Sequence, residues 1–539
     1  MKLNQKSPTR LFGCTLFYMV VLALAWKTAA QTQSARSLNS RSGATGSKLA
    51  ERADVARFRK RVEIALASAG PDKGSWGVLV TDAVTGQALY EHNADNYFFP
   101  ASNTKLFTTA FALATLGPDY RVRTSIVSAG SIDANGLLNG DLILIGRGDA
   151  NLSNRKFPYD RRVERDGGPE KALAEFADAV AARGVKEISG DVVADDSLFQ
   201  SERFPSGWAI DDMLWSYGAA VSAIAVNDNA FTLELRPGTL TSDPATYALN
   251  PVADYYTIEN LIRTGPRGSE EQLAVAREPG SRLIRVSGTI PVGGPPRRLT
   301  IGIEEPAEYT AKLLARLLDE RGVHIRGSPR ALHAGDPALA ATNPPAENIL
   351  AEHMSPPLAE DIVLTNKNSE NLHAELLLLV AAHEKAGATT YEDALKFESQ
   401  FFKTAGIADG DVVLSDGSGL SRKNLVTPRA IVQMLRYAAT RPWGELYRSS
   451  LPVAGEDGTL SERMKNTAAA SRVFAKTGTL GHVNSLSGYA TTVLGTPLLF
   501  SILGSNNSLH AQDANRILDA IAVAMVEELG PAPQMRKRK

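Results

Sequence analysis

The chain has 539 residues, 43% of them hydrophobic and 22% charged, with a formal net charge of −1. A length beyond one hydrophobic core predicts two or three domains, and the ordinary apolar fraction excludes burial of the whole chain in a membrane. Near-neutral charge gives no reason to expect nucleic acid as a partner, and a single cysteine, Cys14, excludes thiol chemistry and cysteine-based zinc sites from the body of the chain.

Lys2, Lys6 and Arg10 precede an apolar run from Leu11 to Trp26, followed by small residues at Thr28-Ala29-Ala30. That pattern predicts a signal peptide over residues 1–30 and an exported protein of the periplasm or cell-envelope exterior, with a retained membrane anchor as the alternative. Its removal takes away four Lys and Arg and no acid, leaving a net charge of −5. Residues 31–50, rich in Ser, Thr, Gln, Gly and Arg, read as a disordered tether.

Val55, Phe58, Val62 and Ala65 recur at helical spacing, predicting a helix from Ala53 to Ala67. Strand-like runs at Trp76–Thr81 and Ala88–His92 form a hairpin. An apolar helix follows Ser102 and stops at Gly117-Pro118. From residue 121 to about 330 the pattern is β-rich, with helices near 171–183 and 307–320. Near the far end, Val473–Thr479, Gly488–Leu494 and Leu498–Leu503 read as strands and Ala511–Leu529 as an amphipathic helix. Matching pieces at both ends predict one antiparallel sheet with terminal helices on a face and an insertion between. The expected organisation is residues 51–120 and 331–530 as two parts of one domain and 121–330 as one or two inserted β-rich domains. Residues 531–539 form a basic tail, a candidate for weak contact with anionic lipid or wall polymer.

Three short segments carry chemistry: Ser102-Asn103-Thr104-Lys105, Ser369-Glu370-Asn371 and Lys476-Thr477-Gly478. Ser102 would sit in the first turn of its helix, where backbone N–H groups are unpaired, with Lys105 on the same face. Burial near another cation lowers the proton affinity of such a lysine, so it can serve as the base that activates a serine. The strand bearing Lys476 suits a sheet edge beside a cleft, and Thr479 offers an N–H to an oxyanion. Ser369 and Asn371 fall on a loop or helix start. Decoys differ in context: Ser153-Asn154-Arg155-Lys156 lies in a polar stretch, and Arg263-Thr264-Gly265 precedes Pro266, which has no N–H. His482 reads as a turn residue, and Glu370 is expected to pair with Lys367. No Gly-x-Ser-x-Gly or His-Glu-x-x-His occurs, which disfavours a Ser-His-Asp hydrolase and a metal hydrolase.

The ordered triple is the signature of penicillin-recognising serine enzymes. Residues 76–528 resemble the penicillin-binding protein 4 type D-alanyl-D-alanine carboxypeptidases, peptidase family S13, also called low-molecular-mass class C penicillin-binding proteins. The resemblance rests on Gly140-Asp141-Leu142-Ile143-Leu144 with Gly148-Asp149, Gly190-Asp191-Val192-Val193 with Asp195-Asp196-Ser197, Tyr217-Gly218-Ala219 with Val221-Ser222-Ala223, and Val226-Asn227-Asp228-Asn229. Its most specific phrase runs from Asp416-Gly417-Ser418-Gly419-Leu420-Ser421-Arg422-Lys423 to Thr427-Pro428, and the 267 residues from Ser102 to Ser369 suit a family with domains inserted after the first motif.

The resemblance implies an α+β, serine β-lactamase/transpeptidase-like domain carrying the insertion. It implies a carboxypeptidase, with endopeptidase activity a further expectation, acting on peptidoglycan stem peptides, acylated by β-lactams, and using no metal or other cofactor. Ser102 would be the nucleophile and Lys105 its base, with Ser369 and Lys476 relaying a proton to the leaving amine and Asn371 holding the substrate amide or Lys105. Thr477, Gly478 and Thr479 would bind the substrate strand and its terminal carboxylate. Ser418, Gly419 and Leu420 would lie near the D-alanine methyl, and Arg422 or Asp195 and Asp196 would meet the polar end of the stem peptide. The alternatives are a β-lactamase-like hydrolase and a non-catalytic peptidoglycan-binding protein.

Overall fold

The structure, a computed structural model, describes residues 52–68, 73–128, 130–337 and 348–530. The expected signal peptide, tether and basic tail lie outside the described residues. Among the described residues no helix is long and apolar enough to cross a membrane.

Two ends of the chain build one sheet. Helix α1 (Ala53–Ala67) leads into strands β1 (Ser75–Asp82) and β2 (Ala88–His92), and then into helix α2 (Lys105–Leu116). After the insertion come helices α3 (Leu358–Asn368), α4 (Asn371–Ala386) and α5 (Pro428–Ala439), strands β3 (Val473–Leu480), β4 (Val483–Thr491) and β5 (Pro497–Ser505), and helix α6 (Ala511–Glu528). The strands pair antiparallel throughout in the order β3-β4-β5-β1-β2, which leaves β3 at an edge.

Alternation along the strands assigns the faces. Val78, Val80, Phe500 and Ile502 pack with Phe58 and Val62 of α1 and Leu518, Ile521 and Met525 of α6. Leu79, Leu499 and Leu503 point the other way, against Leu106 and Phe107 of α2 and Ile431 and Leu435 of α5. The second helical layer is thick enough to bury α2 on all sides from Lys105 to Leu113.

The insertion is β-rich, as its sequence implies. Its five-stranded sheet runs in the order Pro329–Leu332, Val192–Asp195, Leu142–Ile145, Arg123–Ser128, Ile349–Met354. Helices Lys171–Ala182 and Pro306–Asp319 add Phe176, Leu313 and Leu314 to a core that also takes Phe231, Ile262 and Val286 from two three-stranded sheets. The last strand differs from expectation. Ile349 pairs with Val127 and His353 with Thr124, so the chain leaves the inserted sheet only after Met354, not near residue 330. That pairing joins segments more than 200 residues apart and has no local signature.

Strand β4 also begins earlier than the expected Gly488. Its first half carries Asn484, Ser485 and Ser487, polar yet buried, which hide a strand from hydropathy. Val493 and Leu494, expected to be in it, are exposed before the Gly495 turn.

Candidate active site

The three segments meet at one cleft. A single 3-10 turn, Ala101–Thr104, feeds directly into α2, so Ser102 stands at the helix start with Lys105 one turn below. Ser369 caps the end of α3 in a left-handed conformation (φ 65°), and Asn371 opens α4 immediately after. Lys476 lies on edge strand β3. A cleft of about 400 Å³ is lined by Ser102, Ser369, Asn371, Gly419, Leu420, Arg422 and Thr479, together with Asp212 and Tyr217.

Lys105 Nζ is fully buried and makes three hydrogen bonds, donating to Ser102 Oγ at 3.0 Å, Asn371 Oδ1 at 2.7 Å and the Ser418 carbonyl at 2.7 Å. Burial lowers its pKa from 10.5 to about 8, against the opposing pull of Asp416, Glu375 and Glu370. Lys476 Nζ, equally buried, donates to Ser369 Oγ at 2.9 Å and to the Thr477 carbonyl at 3.1 Å. Burial, with Lys105 as a neighbouring cation, pushes its pKa well below the usual lysine value. Two serines therefore each face a lysine that gives up its proton readily. This predicts an acid limb in serine acylation with a midpoint near pH 8, where the Lys105 amine becomes free. A pH series of penicillin-labelling rates checks it, and rates independent of pH from 6 to 10 would contradict it.

The backbone of β3 is turned toward the cleft. The Ala475 N–H donates to the Pro452 carbonyl and the Val473 carbonyl accepts from Ala454 N–H, both on the edge away from β4. Alternation by two then puts the Thr477 and Thr479 N–H groups on that free edge. Thr477 is nearly buried, and its Oγ1 shares a hydrogen bond with Thr459 Oγ1 at 2.7 Å. Gly478 acts by packing: an added Cβ would lie 2.2 Å from Ser485 Oγ and 2.8 Å from the Pro100 carbonyl oxygen. Its missing side chain lets β3 approach the Ser102 turn, a closeness reinforced by Asn103, whose Nδ2 donates to the Lys476 carbonyl and Ser485 Oγ.

The Asp416 loop forms the wall behind Lys105. Glu375, on α4, accepts the Gly417 and Ser418 N–H groups at 2.9 and 2.8 Å, and burial beside Asp416 raises its pKa to about 8. Asp416 itself accepts from Trp208 Nε1, Gly419 N–H, Ser421 N–H and Asn424 Nδ2. Ser418 is thus fully buried with its carbonyl on Lys105, whereas Gly419 and Leu420 reach the cleft.

Arg422 lines the cleft. Asp196 is taken by Ser222 Oγ and His333 Nδ1, and Asp195 accepts the Ser197 N–H; neither lines the cleft around Ser102. His482 is a turn residue (φ 67°) at the β3–β4 hairpin, its Nδ1 against the Asn507 carbonyl. Glu370 does not pair with Lys367. Lys367 bonds Asp457 and the Leu451 carbonyl, while Glu370 meets Arg155 of the insertion at 2.8 Å. The reversal at Ser369 turns the Glu370 side chain away from the end of α3. Decoy Ser153 is buried away from the cleft, donating to the Ala150 carbonyl and accepting the Asp228 N–H. Ser485, Glu375 and Asp212 were not singled out by sequence, and Asn103 and Tyr217 stood within quoted motifs without a role of their own; Glu375, an acid among the leucines of α4, carried a readable signal. Among the described residues no group of three His, Cys, Asp or Glu side chains is placed to hold a metal ion.

The family model described as D-Ala-D-Ala carboxypeptidase 3 (S13) matches residues 59–527. The chain belongs to this S13 family. A D-alanyl-D-alanine carboxypeptidase of Actinomadura sp. (strain R39) is 35% identical over 497 residues, covering 90% of this chain and 86% of the relative. The D-alanyl-D-alanine carboxypeptidase DacB of Haemophilus influenzae is 28% identical, covering 80% and 85%. The crystal structure of penicillin binding protein 4 from the same organism shares the fold, with a TM-score of 0.73 at 24% identity over 86% of this chain and 98% of that one. This S13 member thus has the α+β architecture expected from its sequence.

Proposed function

We propose that the protein is a serine-type D-Ala-D-Ala carboxypeptidase that cleaves peptidoglycan stem peptides through an acyl-enzyme on Ser102. The observation that carries this reading is the convergence of Ser102, Lys105, Ser369, Asn371 and Lys476 in hydrogen-bonded contact at one cleft, in a chain of the S13 family.

Ser102 Oγ attacks the carbonyl carbon of the penultimate D-alanine while its proton passes to Lys105 Nζ. The developing oxyanion accepts hydrogen bonds from the Ser102 and Thr479 N–H groups, each worth about 3–4 kcal/mol of transition-state stabilisation in such sites. The C–N bond breaks as the amine of the terminal D-alanine takes a proton from Ser369 Oγ, which is replenished through Lys476 Nζ by the proton that Lys105 took, so Lys105 is a free amine again before water attacks. Water then attacks the ester, its proton leaving through Lys105 as Ser102 Oγ departs. Asn371 orients Lys105 through Oδ1. Thr477 and Thr479 meet the terminal carboxylate, and Gly419 and Leu420 border the D-alanine methyl. A β-lactam enters the same path and stops at the ester.

Residues 1–30 serve as an export signal in this reading, which places the enzyme at the peptidoglycan. Incubation with a pentapeptide ending in D-Ala-D-Ala is expected to release one D-alanine per peptide, and no release would overturn the proposal. Cross-linked muropeptide dimers test the endopeptidase arm: monomers appear if a second stem peptide serves as the leaving group, and intact dimers restrict the enzyme to terminal D-alanine.

A further inference from the structure

Glu370, Asn371 and His373 are each gripped by a different residue of the insertion. Glu370 Oε1 meets Arg155 Nη2 at 2.8 Å. Asn371 Nδ2 donates to the Tyr217 carbonyl at 2.7 Å. Buried His373 lies between Asp361 of α3, at 2.6 Å, and Asp228 of the insertion, at 3.4 Å. Arg155 is the hub: its side chain is 5% exposed, and it also meets Asp228 at 2.7 Å and Glu164 at 2.6 Å. Asp228 further meets Arg165 at 2.5 Å.

The turn that presents Asp228 is costly to form. Asn227, Asp228 and Asn229 are all left-handed, with φ of 52°, 54° and 50°. A run of three such residues without glycine persists only where the surroundings over-determine it. Here Asn227 Nδ2 binds the Ala230 carbonyl, Asn229 Nδ2 the Ala220 carbonyl, and the Asp228 N–H Ser153 Oγ. The Val226–Asn229 phrase and the Ser153–Lys156 decoy therefore build one object, an acid and a cation aimed at the second motif.

We infer that the insertion is part of the catalytic apparatus: Arg155, braced by Asp228, is a positioning residue that holds Glu370 and thereby fixes Asn371 against Lys105. The inference rests on the acyl-transfer reading above. One buried cation locks the loop whose next residue supplies the Lys105 acceptor, so a loose clamp lets Asn371 and Lys105 drift together. A displacement of about 1 Å at such a contact costs about 100-fold in rate. Glu370 also contributes charge. Lys105 is faced by the carboxyl groups of Asp416, Glu375 and Glu370 and lies beside the second lysine, Lys476; Glu370 in turn is faced by Arg155. Removing the Glu370 charge eases deprotonation of Lys105, whereas removing Arg155 leaves that charge uncompensated.

The test is the second-order rate of acylation by a fluorescent penicillin, measured against pH, for the wild type, Glu370→Ala, Glu370→Gln, Arg155→Met and the Glu370→Ala/Arg155→Met double variant. Each of Glu370→Ala and Arg155→Met is expected to lower the rate by about tenfold or more, and the double variant by little more than the worse single, since both break one contact. Glu370→Gln keeps an acceptor for Arg155, so it recovers most of the rate and moves the acid limb to lower pH; Arg155→Met moves it to higher pH. Wild-type rates in both alanine and methionine variants, or costs that multiply in the double, would overturn the inference. Arg155→Met strips buried Asp228 of a partner, so thermal melting checks its fold; if it fails to fold, the two Glu370 variants decide alone. A wild type that takes no penicillin removes the proposed function instead, a result separate from a labelled wild type with an unaffected Glu370→Ala.

Discussion

Replacing Lys105 with methionine is expected to lower the rate of Ser102 acylation by about 10²–10⁴-fold, the usual contribution of a positioned proton acceptor. Methionine approximates the volume of the lysine stem and leaves the α2 packing intact. It removes the only amine that touches Ser102 Oγ among the described residues. Lys476 does not substitute, because its Nζ is committed to Ser369 Oγ and the Thr477 carbonyl. Stopped-flow or gel-based penicillin labelling checks the rate, and circular dichroism confirms that the variant is folded. A rate within threefold of wild type would show that some other group takes the serine proton.

A second large effect is expected at Gly419. Its φ of 89° is one that side chains rarely adopt, and an added Cβ would lie 1.9 Å from the Ala101 carbonyl oxygen and 2.8 Å from Thr104 Oγ1. Both neighbours belong to the turn that carries Ser102, so this turn must move to admit the methyl. Gly419→Ala should therefore destabilise the protein by about 2–4 kcal/mol, combining backbone strain and overpacking, and cut acylation by about 100-fold through displacement of the nucleophile. Denaturant unfolding and penicillin labelling measure the two effects separately. Wild-type stability would mean that the Asp416 loop yields easily, contrary to the five hydrogen bonds that Asp416 accepts from Trp208, Ser418, Gly419, Ser421 and Asn424.

Local chemistry made most of the catalytic body legible. The spacing of Val55, Phe58 and Val62 marked α1, and the apolar run after Ser102 marked a buried α2. The order of the three motifs pointed to one cleft, and their side chains meet there. What escaped notice depends on contacts between distant segments. The final strand of the inserted sheet, Ile349–Met354, gains its place only by pairing with Arg123–Ser128. Hydropathy hides the first half of β4 because its buried polar side chains are taken up by hydrogen bonds: Ser485 Oγ reaches the Pro100 carbonyl beneath the Ser102 turn at 2.8 Å, Ser487 Oγ bonds Ser501 Oγ at 3.0 Å, and Asn484 Nδ2 donates to Asn515 Oδ1 at 3.3 Å. Proximity in sequence pairs Glu370 with Lys367, but the left-handed Ser369 sends the two side chains apart, and the true partner lies 215 residues away. Ser418, expected at the substrate, is instead drawn under the surface by Lys105 and Glu375. These misses share a cause: a polar residue's role is set by the partner that satisfies it, which hydropathy and spacing do not name.

Intact-protein mass spectrometry after exposure to benzylpenicillin, comparing the wild type with Ser102→Ala, tests the proposal that Ser102 is the nucleophile of an acyl-transfer site. The wild type is expected to gain the mass of one penicilloyl group, mapped by digestion to the peptide containing Ser102, and Ser102→Ala to gain none. An adduct on Ser102→Ala, or a wild-type adduct on a different residue, would contradict it.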